Sequence, residues 1–378
     1  MRNAPTNSHY FHSKVNQPMM SSERRTATNP SARQGRATRL WSLVCLLGLG
    51  LAVVAPPAAL AHEKWFVDAT NYPVRWELVF SWPVAIALVA AGLALGGLVF
   101  LSRVVRDPYW PNPVWLQPVN SSVQAVVGIQ TAISLVYMTV RGWLLAPTLS
   151  VTGQWWGYVL LVVQLFVAFT FVTGWLTRVG GGVLVGLVVA AFALFPPDRA
   201  AEQLLFAGIG AFFLIQGRGL FAPAGQLSRR WAEYWSRYSR MALPVMRVFT
   251  GVSILWLAFS EKLLNPQLAL AFLESRPEFN FVQLLGFSWF TNELFVYAAA
   301  AVEATVGVLL IAGVLPRIVI LFMWVPFNIA IPFLPPEELL GHLPILAVMY
   351  AVFLGEPAVE AEARKAISPT PAPATSGG

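Results

Sequence analysis

Apolar runs separated by short polar breaks organise the chain, at 78–102, 122–140, 156–177, 179–195, 202–216, 245–263, 292–313, 317–334 and 339–355. Most approach the ~20 residues a helix needs to cross a bilayer, and the shorter ones are bounded by Pro or Gly pairs. The pattern predicts an all-α polytopic membrane protein with nine spans after residue 62. Composition agrees: 57% of the 378 residues are hydrophobic and 11% are charged, against about 25% charged in soluble domains.

Slid against itself, the chain shows a duplication. An offset of 139 aligns Tyr158 with Tyr297, Gln164 with Glu303, Gly174 with Gly313, Arg178 with Arg317 and Pro196-Pro197 with Pro335-Pro336. For the preceding helix an offset of 119 aligns Thr131 with Thr250, Ser134 with Ser253 and Pro147 with Pro266. The expected organisation is two tandem four-helix units, 122–216 and 245–355, joined by a basic linker over 217–244. An extra span and its inner loop occupy 78–121. Units with an even number of spans insert with the same orientation, so the repeat is parallel rather than inverted. The offsets differ because the second unit carries an insertion within 267–293, whose Phe272, Phe279, Phe281, Phe287, Trp289 and Phe290 suit a cap at the membrane surface.

The start of the chain reads differently. Residues 1–39 are polar, basic and without hydrophobic period, a disordered leader, and hold six of the seven net positive charges. No basic surface is left for nucleic acid on the rest of the chain. The segment 40–61 ends in Ala59-Leu60-Ala61 and reads as a secretory signal cleaved before His62, or as an uncleaved signal anchor. Either places 62–77 outside, and the inner segments then carry twelve Lys and Arg against six outside, as the positive-inside rule expects. The expectation is a multi-pass protein of the inner (plasma) membrane, with mature N-terminus outside and a disordered tail, 356–378, in the cytoplasm. The linker mixes Arg229 and Arg230 with Trp231, Tyr234, Trp235 and Tyr238 at helical spacing, as an interfacial helix would. Cys45, the only cysteine, lies in the leader, so disulfides and thiolate metal sites are not expected.

Several positions in the second unit match a known pattern. Arg247-x3-Gly251 opens its first helix, Ser260-Glu261-Lys262-Leu263 closes it, and Glu303-x3-Gly307-x5-Gly313-x3-Arg317 marks the second helix and its turn. In these positions the unit resembles the DoxX/DoxD family of four-helix membrane proteins, over about 110 residues, with the first unit a degenerate copy. The family includes the small subunit of a thiosulfate:quinone oxidoreductase, so the resemblance implies a bundle fold and a link to quinone chemistry.

The mismatches between copies point to a site. Where the second unit has Glu261, Lys262, Glu303 and His342, the first has Gly142, Trp143, Gln164 and Gln203. An ionisable residue within a span is a functional candidate by default, and Glu303 lies ~16 Å along its helix from Asn292. Lys262 and Glu303, with Glu261 and His342, form the candidate catalytic set, able to exchange protons with a bound quinol. The plainer alternative is a structural ion pair joining two helices. His62 and His342 are the only histidines after the leader, and both fall outside. A new N-terminal amine beside the His62 imidazole would chelate Cu(II), with His342 as a third nitrogen; the plainer reading is a polar terminus and a helix-end histidine. So few histidines argue against haem. Gly180-Gly181-Gly182 lacks a following Lys-Ser/Thr and reads as close helix packing rather than a nucleotide loop. Arg178 and Arg317 read as positive-inside anchors.

Three functions follow as expectations. The first is a DoxX-like subunit of a quinone-linked redox complex with an outer-half site. The second is a non-enzymatic assembly, sorting or copper-handling factor, and the third a small-solute carrier. The lipid bilayer is the partner common to all.

Overall fold

The computed structural model describes residues 63–105, 110, 119–120, 122–217, 234–235, 237–330 and 336–355. The expected leader, the expected signal segment, His62, most of the loop after α1 that was expected on the inner side, the greater part of the expected linker and the tail therefore lie outside the described residues. The protein is an all-α polytopic membrane protein, and six of its described helices are long and apolar enough to cross a bilayer. Among the described residues the helices of ten residues or more are α1 (Trp82–Val105), α2 (Val123–Val140), α3 (Trp155–Thr173), α4 (Thr177–Leu194), α5 (Leu204–Gln216), α6 (Ser239–Leu257), α7 (Pro266–Ser275), α8 (Asn292–Ala312), α9 (Pro316–Ala330) and α10 (Pro336–Leu354). The span containing α6 starts at Ser239, inside the stretch expected to be linker, and runs on to Leu263.

The helices pair as a duplication would. Within the first unit α2 packs on α3, α3 on α4 and α4 on α5; within the second α6 packs on α8, α8 on α9 and α9 on α10. Between units the exchange is reciprocal: α5, last of the first unit, lies on α6, and α10, last of the second, lies on α2. The extra helix α1 packs on α8, setting Val84 and Ala87 against Leu263 and Ala300, and leaves most of its apolar surface exposed, as lipid contact requires.

Lipid tails are as apolar as the side chains, so burying apolar area does little to hold such helices together; close packing and hydrogen bonds must do it. At the α6–α8 crossing a Cβ on Gly251 would lie 2.7 Å from the Gly307 carbonyl oxygen, and one on Gly307 2.8 Å from that of Gly251. Gly181 on α4 approaches the Gly210 carbonyl of α5 in the same way, and Gly180 sits against the Thr170 side chain, whereas a Cβ on Gly182 would make only ordinary contact; close packing accounts for the first two glycines of the triplet. Phe171 and Phe213 stack in the core with ring centroids 4.3 Å apart.

The turns repeat in detail. Helices α3 and α8 end at Gly174 (φ 76°) and Gly313 (φ 70°) in the left-handed region, where glycine avoids the Cβ penalty. Two residues later Leu176 (φ 52°) and Leu315 (φ 47°) are also left-handed, a strained state for leucine that both copies keep. Each turn then delivers an arginine to the end of the unit's last helix. Arg178 donates to the carbonyls of Ile215 (3.3 Å) and Gln216 (3.4 Å), and Arg317 to those of Phe353 (2.7 Å) and Leu354 (3.0 Å). Read from the sequence as topological anchors, these arginines also cap helix C-termini, where unsatisfied carbonyls and the helix dipole favour a cation.

Before α1 the chain forms a strap of short 3-10 turns, Glu63–Trp65, Ala69–Asn71 and Trp76–Phe80. The Arg75 amide donates to the Leu264 carbonyl (2.8 Å) and the Asn265 side-chain amide to the Tyr72 carbonyl (2.7 Å), tying the strap to the end of the α6 span. The insertion beyond it buries Phe272, Phe279 and Phe290 beside Phe66 and exposes Phe287 and Trp289, which fits the expected surface cap.

Candidate functional site

The last turn of the α6 span widens into a π-helical turn over Ala258–Leu263. Such turns accommodate an extra residue and recur at functional sites. Here the turn carries both Glu261 and Lys262, which are 1% and 2% exposed. From α8 the inward face presents Glu303, also 2% exposed, and from the strap come Glu63 and Lys64.

These groups form one ionic cluster. The Lys262 ammonium lies 2.8 Å from Glu63 Oε1 and 3.1 Å from Glu303 Oε1. The Glu63 backbone amide donates to Glu261 Oε2 at 3.2 Å, and Glu261 Oε1 is 4.0 Å from the Lys64 ammonium. Lys64 donates to Glu202 Oε1 and stands 4.0 Å from Asp198 Oδ2. In the strap, burial pushes the Glu63 carboxyl well above the ordinary carboxylate range, against the lowering effect of Lys262. Burial by itself would lower Lys64, but the surrounding Glu202, Glu261 and Asp198 outweigh it and raise the ammonium above its usual value.

Four buried carboxylates, Glu63, Glu202, Glu261 and Glu303, thus share two ammonium groups among the described residues. Neither Glu303 oxygen makes an aligned hydrogen bond, its contact with Lys262 being electrostatic, and Glu202 Oε2 also lacks a hydrogen-bond partner. A buried carboxylate without full pairing is expensive, and neutralisation by a proton relieves it.

Both side chains open onto a cavity of about 50 Å³ between the two units, together with Lys262, Gln203, Trp65 and His342. Leu145, just beyond α2, and Leu257, at the end of α6, line it; so do Gln203, before α5, and His342, in α10. Corresponding ends of the units meet at one level, so the copies run in the same direction. The cavity is water-sized, far below the ~300 Å³ of a small-molecule pocket.

His342 Nδ1 lies 2.6 Å from the Glu338 carbonyl and 3.2 Å from the Glu338 carboxylate, and its ring is 5.7 Å from that of Trp65. A Cβ on Gly341 would run into the Trp65 ring, so the glycine makes room for the strap's indole. His62 lies outside the described residues, and among the described ones no three His, Cys, Asp or Glu are placed to hold a metal ion.

The sister position is built without charge. Gln164 Oε1 accepts from the Leu145 amide (2.8 Å), while Nε2 lies within donating distance of the Leu135 carbonyl (3.1 Å), the Thr139 hydroxyl (2.9 Å) and the Trp143 carbonyl (3.2 Å). An amide in this position therefore joins the second helix of a unit to the end of its first.

The structure thus gathers Lys262, Glu303 and His342 around one cavity, with Glu261 behind. Sequence reasoning missed Glu63, Lys64, Glu202 and Glu338. A signal for Glu202 existed: it is a carboxylate at the start of the apolar run 202–216. The repeat alignment drew attention instead to its neighbour Gln203, and the first unit read as scaffold although it supplies part of the cavity wall. No protein-family model, curated protein or solved structure matches this chain.

Proposed function

We propose that this chain is a membrane subunit that exchanges protons at buried carboxylates on its outer side, in service of a quinone-linked redox complex of the DoxX-like kind. The observation that carries the reading is Glu303: a carboxylate lining a water-sized cavity, in ion-pair contact with Lys262, at a position where the sister unit uses a fully hydrogen-bonded amide. If the charge served only to join helices, the amide would suffice. The cavity suits water and protons rather than a quinone ring, so in this reading the quinol is oxidised beside the subunit and its protons are taken up within it. Glu303→Gln, in membranes containing the native complex, is expected to abolish quinol-coupled turnover with the protein still inserted at normal abundance; unchanged turnover removes the reading.

A second reading, carriage of a small solute, is favoured by one observation: the cavity lies between repeated units, where transporter sites are commonly found. Uptake of a small solute into liposomes holding the purified chain alone would support it over the first.

A further inference from the structure

The ionic cluster does not end at the cavity. Asp198 and Glu202 lie on the turn before α5, and two α6 side chains hold that turn in place: Ser253 donates to the Glu202 carbonyl (2.6 Å) and the Trp256 indole to the Asp198 carbonyl (2.8 Å). Both carboxylates lean on the Lys64 ammonium. They differ in exposure: the Glu202 side chain is fully buried, whereas that of Asp198 is 37% exposed. Together they lead from solvent to the cavity wall.

We propose that Asp198 and Glu202 form a proton entry route from the aqueous face to the cavity, and through it to Glu303. The inference rests on the proton-exchange reading and names the route that reading leaves open. Asp198 takes a proton from solvent. Both carboxylates contact the Lys64 ammonium, and water between them passes the proton to Glu202 as Glu202 gives up its own. The cavity is roomy enough for water and, within a largely apolar wall, carries the polar groups that would hold it: Glu202 Oε2 and Glu303 have unused acceptor capacity. The proton released by Glu202 crosses by that water to the Glu303 carboxylate. Asp198 and Glu202 each gain one proton and lose one, Glu303 holds the proton taken from solvent, and no electron moves.

Charged groups face the route at both ends. Lys64, Glu261 and Arg199 surround the Asp198 and Glu202 end, Lys262 and Glu63 face Glu303, and His342, paired with Glu338, closes the cavity from α10. The lysines sit beside the carboxylates without closing either free acceptor, so the array holds the acids together and leaves the transfer path open.

The test uses the full chain, purified into nanodiscs of phosphatidylcholine and phosphatidylglycerol, without any redox partner. After a rapid drop in pH, infrared spectroscopy follows the protonated-carboxyl signal that is missing in Glu303→Gln. Glu202→Gln and Asp198→Asn are each expected to slow its appearance by roughly tenfold or more, with Asp198→Glu restoring the rate. Asp198 is partly exposed to solvent, so its variants keep the readout available should Glu202→Gln fold poorly. Wild-type kinetics in Asp198→Asn, or no signal attributable to Glu303 at any pH where the protein stays folded, would overturn the route. Loss of the route with normal dependence of turnover on Glu303 would leave the parent reading standing, and the reverse outcome would remove only that reading.

Discussion

Gln164 and Glu303 occupy the same place on the second helix of the two units, yet the amide bonds to four partners around the end of its neighbouring helix while the carboxylate reaches a lysine at 3.1 Å. One position in one architecture is thus solved once by neutral hydrogen bonds and once by charge. The contrast makes the charged copy testable.

Removing the acid and removing the base should have unequal effects. Glu303→Gln leaves Lys262 paired with Glu63 at 2.8 Å and installs the side chain the sister unit already tolerates, so thermal stability in detergent should change by about 1 kcal/mol or less. Lys262→Met leaves Glu63 and Glu303 buried without their cation, and the loss should be about 3–5 kcal/mol. Equal losses would show that the pair is a simple structural brace.

The two capping arginines should behave alike. Arg178→Leu and Arg317→Leu each strip a cation from the last carbonyls of a helix and should lower stability by about 1–2 kcal/mol. Replacement by Lys should recover part of this, because an ammonium satisfies the helix end without the fork geometry. Thermal unfolding of the four variants checks the expectation, and an effect confined to one unit would contradict the equivalence of the turns.

Helix contact at Gly251 and Gly307 leaves no room for a side chain. Gly251→Val or Gly307→Val should force α6 and α8 apart, at about 1–3 kcal/mol each, with the Lys262–Glu303 contact disturbed as a consequence. Gly92→Val on α1, where a Cβ meets nothing within 4 Å, should be neutral. Unfolding midpoints compared across the three variants decide the matter.

Docking of the strap depends on Gly341. Gly341→Ala pushes a methyl into the Trp65 ring and should lift Glu63 and Lys64 from the cluster. Hydrogen exchange is the readout: the amides of Phe66 and Val67, both bonded to the Glu63 carbonyl at 3.0 Å, should lose protection while α8 keeps its own. Unchanged protection would mean that the strap is held by its links to Leu264 and Asn265 alone.

Hydropathy and the self-alignment by themselves determined the class of the protein and its candidate acid. Apolar runs of spanning length can be read without knowing their neighbours, and a carboxylate inside one of them stands out wherever it points. The recurrence of Gly174 with Gly313 and of Arg178 with Arg317 was equally legible, but that the glycines are left-handed C-caps and the arginines cap helix ends was seen only in the structure. What surrounds Glu303 was decided only by the tertiary structure. Glu63 and Lys64 lie about two hundred residues before Lys262; Lys64 was visible only as a topology charge and Glu63 not at all, and Glu202 belonged to the copy without the aligned ionisable groups. Their meeting depends on how α5 packs against α6 and on where the strap folds back, and no periodicity encodes that. A buried charge has to find its counter-charge wherever packing puts one, so the acid could be read from the chain and its partners only from the assembled bundle.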